Sequence, residues 1–231
     1  MRRRQPPPAL PPVPFSPAAA RAHRAGLGLT PEQVAGGMAA HGVRLLPTHV
    51  IAWESGELRP TEEEFIALAR ALWCPPAQLM GTRPARLRDH RVARELSQDT
   101  AARRIGVALR VYQEAELTGT WDGDEERTHA LAQVLGLRLT ELVEVTGRGA
   151  ELDQRLRRCV DGRWQPHLRA VARLVPVHED DLATVLTALH QEHQVSSPHW
   201  GAATPTLPPR DRPLAPRFWE LLGRLHTEIP V

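Results

Sequence analysis

The chain has no lysine: all 29 of its Lys-plus-Arg positions are arginine, leaving arginine alone to meet any acidic group or phosphate. The guanidinium is a planar, permanently charged fork suited to both, although a GC-rich coding bias also enriches arginine. Cysteine is nearly absent. Cys74 and Cys159 lie far apart and match no metal-ligand spacing, which excludes a disulfide framework and points to two reduced, buried thiols. No stretch approaches the ~18 continuous apolar residues of a membrane span. The start, "MRRRQPPPALPPVP", places prolines where a signal peptide needs an apolar run. A soluble, cytoplasmic protein without membrane contact is expected. Catalytic signatures are missing too: there is no phosphate-cradling glycine loop, no HExxH and no nucleophile elbow. The acids fall on solvated helix faces, so no enzymatic activity and no cofactor are expected. His190, Glu192, His193 and His199 sit at an exposed helix end before a proline-rich stretch and are not read as a metal site.

Proline is abundant, with 22 residues concentrated towards the ends. Residues 1–15 read as a flexible Arg/Pro arm, and residues 194–216 as a Pro-rich linker. Residues 217–231 form a terminal amphipathic helix with Phe218, Leu221, Leu222 and Leu225 on one face. The body between them is helical by pattern and contains an internal repeat. "AHRAGLGLTPEQVA" at 22–35 answers "DHRVARELSQDTAA" at 89–102, and "LARALWCPPAQLMG" at 68–81 answers "LAQVLGLRLTELVE" at 131–144. The copies occupy residues 16–82 and 83–147. Residues 148–193 form a further helical region, read as an accessory bundle for self-association or partner binding. Its Gly162 and Pro166 are spaced like Gly56 and Pro60, which also fits a degenerate third copy.

In the second copy Ser97 is a good N-cap, and Ala101, Ala102 and Ile105 mark an inward face. Gly106 ends that helix, Val107 plugs the corner, and a second helix runs from about Ala108 to Leu117 with Val111, Tyr112 and Ala115 inward. Two helices around so tight a turn are a helix-turn-helix, whose second helix can enter a major groove. The first copy offers Thr30 as N-cap, Pro31 at the first helical position and Gln33 as capping-box partner. Its corner is about five residues longer, so its second helix begins near Pro47 or Thr48.

These residues resemble the Cro/repressor-like (XRE) helix-turn-helix family. Leu96, Ser97, Gln98, Ala102, Ile105, Gly106, Val107, Tyr112 and Glu116 fall on positions of its pattern without a gap. "HALAQVLGLRLTELV" resembles the family's last two helices, and in the first copy Trp53, Glu54, Gly56 and Pro60 stand in family positions. Ala101 and Ala108 stand where the family carries leucine and a serine cap. The resemblance implies an all-α fold: tandem five-helix repressor-like domains plus a C-terminal helical region. It also implies double-stranded DNA as partner and a nucleoid-associated regulator of transcription.

Charge is distributed to suit. Residues 83–110 carry eight arginines against Asp89, Glu95 and Asp99, while residues 111–147 carry Arg127 and Arg138 against eight acids. In the second unit, the expected main base reader, Arg110 and Gln113 lie one turn apart on the outer face, Arg suited to guanine and Gln to adenine. Gln98, at a helix N-terminus, suits a phosphate. Arg91, Arg103 and Arg104 are candidates for backbone positioning, with pairing of Arg104 to Glu95 or Asp99 as the structural alternative. In the first unit Thr48, His49, Ala52 and Ser55 face outward, with Arg44 in the loop and Arg59 beyond it. That unit reads either as a phosphate and methyl contact or as a packing module. An alternative for the whole chain is a helical adaptor or antitoxin-like module without DNA contacts.

Overall fold

The computed structural model describes residues 12–195 and 213–225, and among them the chain forms fourteen α-helices, one 3-10 turn and no strand. None of these helices is long and apolar enough to cross a membrane. Most of the N-terminal arm and of the second proline-rich stretch, His199, and residues 226–231 lie outside the described residues. The end of the arm does not. Val13 and Phe15 are buried, and the Phe15 ring meets Phe65 edge-on at 6.1 Å. The expected boundary at residue 15 therefore moves back to at least Val13, because two apolar side chains among the prolines find a core.

The first five helices are α1 (Pro17–Gly26), α2 (Pro31–Ala40), α3 (Pro47–Ser55), α4 (Glu62–Ala71) and α5 (Pro76–Met80). Their starts follow local chemistry. Ser16 caps α1 through its hydroxyl, and Thr30 and Gln33 form the reciprocal box that opens α2. Thr61 and Glu64 repeat that box at α4. Prolines occupy the first turn of α1, α2, α3 and α5, where a missing N–H costs nothing. These helices close over Val34, Met38, Trp53, Phe65, Leu68 and Leu79.

The next five are α6 (Leu87–Ala93), α7 (Gln98–Ile105), α8 (Leu109–Thr118), α9 (Glu125–Leu135) and α10 (Leu139–Val145). Local features recur between the two sequence copies. The backbone of Trp73 is left-handed, with φ of 50°, where the second copy has Gly136 at 61°; Glu95 at 55° stands where the first copy has Gly28 at 66°. A corner that glycine makes freely in one copy is thus held by a side chain in the other, at a cost of about 1–2 kcal/mol. Trp73 is 86 % exposed, so its ring returns little of that cost. Trp73→Gly is expected to stabilise the chain by about 0.5–1 kcal/mol in urea unfolding, the relief exceeding glycine's extra unfolded-state entropy. A loss of stability would mean that the corner needs its indole.

The chain divides into two compact units, residues 1–119 and 120–231. This division does not follow the sequence copies, whose expected boundaries were 82/83 and 147/148. Helices α6 to α8 belong with the first copy, since Arg88 and Arg91 of α6 pair with Glu62 of α4 and Glu95 pairs with Arg70. Helix α10 contributes Val143 to the core of the second unit, whose further helices are α11 (Gly149–Asp161), α12 (Leu168–Ala172), α13 (Glu179–Val195) and α14 (Ala215–Leu225). That core is a set of helical stripes: Leu152, Leu156 and Val160 on α11, and Leu182, Leu186 and Leu189 on α13. The terminal helix starts at Ala215, two residues earlier than expected, and buries Phe218 and Leu222 in the same core; Leu221 is half-buried and Leu225 exposed.

Candidate nucleic-acid interface

Ser97 accepts a hydrogen bond from the Thr100 amide at 3.1 Å and starts α7. Gly106, with φ of 80°, stops it, and three residues later α8 begins. Ala101, Ala102 and Ile105 of α7 and Tyr112 and Ala115 of α8 are buried, as their spacing predicts. Val111 is not. It was expected inward but is 51 % exposed, because the inward stripe of α8 runs through Tyr112, Ala115 and Glu116, and Val111 sits about 100° from Tyr112. Burial pushes the Tyr112 phenol far above its ordinary value. In the first copy α2 and α3 are joined by a longer loop, residues 41–46, and α3 starts at Pro47 as its spacing predicts.

Helix α8 turns Arg110 and Gln113 to solvent, one turn apart. Arg110 makes no ion pair among the described residues, whereas Gln113 is tethered. Its Nε2 donates to Gln98 Oε1 at 3.1 Å, and Gln98 Nε2 donates to Glu116 Oε2 at 2.7 Å. A carboxylate only accepts, so Glu116 fixes which end of the Gln98 amide faces it, and Gln98 in turn fixes Gln113. Gln113 keeps its carbonyl and one N–H, the acceptor and donor types that complement the major-groove edge of adenine. Gln98, expected to touch a phosphate, has both ends of its amide engaged by protein and retains one N–H.

Arg91 is not at the surface. Its side chain is 0 % exposed and pairs with Glu62 and Glu116, so it is unavailable to a phosphate, contrary to expectation. Burial opposes its charge, but hydrogen bonds with the two carboxylates outweigh that and raise its pKa. Burial likewise opposes ionisation of Glu62, and Arg91 and Arg88 together still hold its carboxyl below its ordinary 4.5. The first copy contains the same device. Arg24 of α1 donates from Nε and Nη2 to Glu54 of α3 at 2.6 and 2.7 Å, and Glu54 is buried. Arg24 aligns with Arg91 in the sequence repeat, and Glu54 and Glu116 follow them, although the expected place of Arg91 was at the surface. The two pairs in matching positions were the missed signal.

Arg103 and Arg104 are exposed. Asp99 is taken by Arg103 at 2.8 Å and Glu95 by Arg70 at 2.7 Å, so Arg104 pairs with neither. Arg44, Arg59, Thr48 and Ser55 are exposed, while His49 and Ala52 are half-buried. Counting from the paired glutamates, the first copy carries Thr48 where the second has Arg110, and Ile51, 52 % exposed, where the second has Gln113. Pro31 stands in place of Gln98. The first copy therefore keeps the arginine–glutamate pair, with Arg24 half-buried, and lacks the tethered amide.

No family model, curated protein or solved structure matches the chain. The functional reading rests on its own geometry. Among the described residues no group of three or more His, Cys, Asp or Glu side chains is placed to hold a metal ion.

Proposed function

We propose that this chain is a sequence-specific DNA-binding protein, a regulator of transcription, built from two Cro/repressor-like helix-turn-helix units of which the second reads bases. One observation carries the reading. The exposed amide of Gln113 is held in a defined orientation by Gln98 and the buried Glu116, beside the exposed Arg110. A solvated glutamine on an ordinary helix face gains nothing from such tethering, whereas a base-reading amide gains preorganisation, since an unfixed amide presents the wrong edge as readily as the right one. Arg103 and Arg104 on α7, Arg94 before it and Arg110 on α8 supply exposed positive charge along the same helix pair for phosphates.

Selection of bound sequences from a random DNA pool tests this directly. Gln113→Ala and Arg110→Ala are each expected to cost about 1–3 kcal/mol on the preferred site and to relax choice at one position. Arg103→Ala is expected to weaken all sequences alike and to flatten the salt dependence. Equal, sequence-blind losses from all three would reduce α8 to a backbone contact, and no recovered sequence at all would remove the DNA reading.

The face of α3 favours a different role for the first copy. Leu46, Ile51 and Leu58 are exposed and Thr48 replaces the arginine, which leaves apolar contact in place of hydrogen-bonded readout. Such a face suits thymine methyl groups or a protein partner. Uracil in place of thymine under the first unit separates them: weaker binding identifies methyl contacts, and unchanged binding identifies a protein surface.

A further inference from the structure

Glu62 opens α4, in the first copy, yet it shares Arg91 with Glu116 of α8. Arg91 Nη1 donates to Glu62 Oε1 at 2.5 Å and to the Leu96 carbonyl at 2.8 Å. Its Nη2 donates to Glu62 Oε2 at 3.0 Å and to Glu116 Oε2 at 3.1 Å, and its Nε to Glu116 Oε1 at 2.6 Å. All five N–H donors of the guanidinium are thereby used, so its orientation is over-determined. From Glu116 the bonded path continues through Gln98 to the exposed amide of Gln113. The side chains of Arg91 and Glu116 are both fully buried, where little solvent competes for these bonds.

We infer that Glu62 is a positioning residue for Gln113: the first copy, through Arg91, Glu116 and Gln98, sets the orientation of the amide that the second copy presents. The functional meaning rests on the reading of Gln113 as a base contact; the coupling itself needs no DNA. Removing the charge at Glu62 leaves Arg91 with one carboxylate in place of two, and the guanidinium rotates towards Glu116. Glu116 Oε2 is shared by Arg91 and Gln98, so a change in its first bond alters the second. The first copy offers no such path, because Pro31 and Ile51 stand in its sequence where the second copy has the amides of Gln98 and Gln113. A tandem chain built this way does not carry two independent readers, since one copy holds the other's reading side chain in place.

The test uses the full chain with Glu62→Gln, and with Glu63→Gln as a control at an exposed neighbour. Nitrogen–proton spectra of the Arg91 Nε–H and of the Gln98 and Gln113 side-chain amides are expected to shift in the first variant and not in the second. Glu62→Asp, which keeps the charge at shorter reach, is expected to fall between. On the preferred DNA, Glu62→Gln is expected to lose about 3- to 10-fold of the discrimination at the Gln113 position, with an unchanged salt slope. A purely structural role for Glu62 lowers the melting temperature and leaves that one position as selective as before. The inference is overturned if the Arg91 signal moves while both glutamine amides stay fixed, or if folded Glu62→Gln discriminates fully. If the unaltered chain shows no base preference, the base-reader assignment fails, and the amide spectra alone decide the coupling.

Discussion

Replacing Arg91 with methionine is expected to destabilise the N-terminal unit by about 3–5 kcal/mol at neutral pH, a large part of the stability of an ordinary domain. Methionine fills much of the space, so the loss is not chiefly one of volume. What remains is Glu62 facing the fully buried Glu116 with no cation between them. Arg88 still reaches Glu62 at 3.0 Å, whereas the inner carboxylate keeps the amide of Gln98 at 2.7 Å and gains no cation in place of Arg91 among the described residues. Acid separates this account from simple misfit. In the unaltered chain the carboxyl of Glu62 is held below its ordinary 4.5, so it contributes stability above that value and loses the contribution as pH falls through its depressed pKa. In the variant the same carboxyl has lost its main partner and gains by taking up a proton. The gap between the two proteins is therefore expected to be widest near neutrality and to narrow below about pH 4.5 in urea unfolding followed across pH. A gap that does not change with pH would point to packing. The double variant Arg91→Met, Glu116→Met removes both buried charges and is expected to recover most of the loss. It also removes the acceptor that orients Gln98, so stability returns while base preference does not.

The local structure was legible where one residue has one role. Thr30 and Gln33, Ser97, Gly106 and the start of α3 at Pro47 stand where capping and periodicity put them, because those choices depend on the nearest few residues. The role of Arg91 was hidden for the opposite reason. A count of positive charge treats every arginine alike, and only the fold decides which one loses its water. Its place beside Glu62, in another sequence copy, depends on how the copies meet. The compact units show the same limit: likeness between segments marks the copies, while the pairings of α6 with α4 and of Val143 with the C-terminal core mark the units. Val111 was misplaced because it is apolar and adjoins Tyr112, although at about 100° per residue the stripe through Tyr112, Ala115 and Glu116 leaves it at the surface. Val13 and Phe15 were lost among prolines, since two apolar residues two apart make no periodic signal.

Phe218→Ala is expected to cost the C-terminal unit about 3–5 kcal/mol, although it lies in a short helix that follows a proline-rich stretch. The ring is fully buried within the cluster formed by α11, α13 and α14, and meets the neighbouring Trp219 edge-on at 5.0 Å. Polar contacts hold the rim of this seat. The Leu214 amide donates to Asp153 Oδ1 at 2.6 Å, and Arg217 makes a bidentate pair with Glu192 at 2.8 and 2.5 Å. Arg217 and Glu192 are 34 % and 44 % exposed, so water screens them and Arg217→Ala is expected to cost far less than Phe218→Ala. The contrast between these adjacent residues is the test, because a helix that merely rests on the surface responds about equally to both. Hydrogen exchange adds the location. If α14 is part of the core, Phe218→Ala speeds exchange at Leu182, Leu186 and Leu189 of α13 as well as within α14. If only α14 loses protection, it docks as a separate element, and the region from α11 onward is a bundle complete without it.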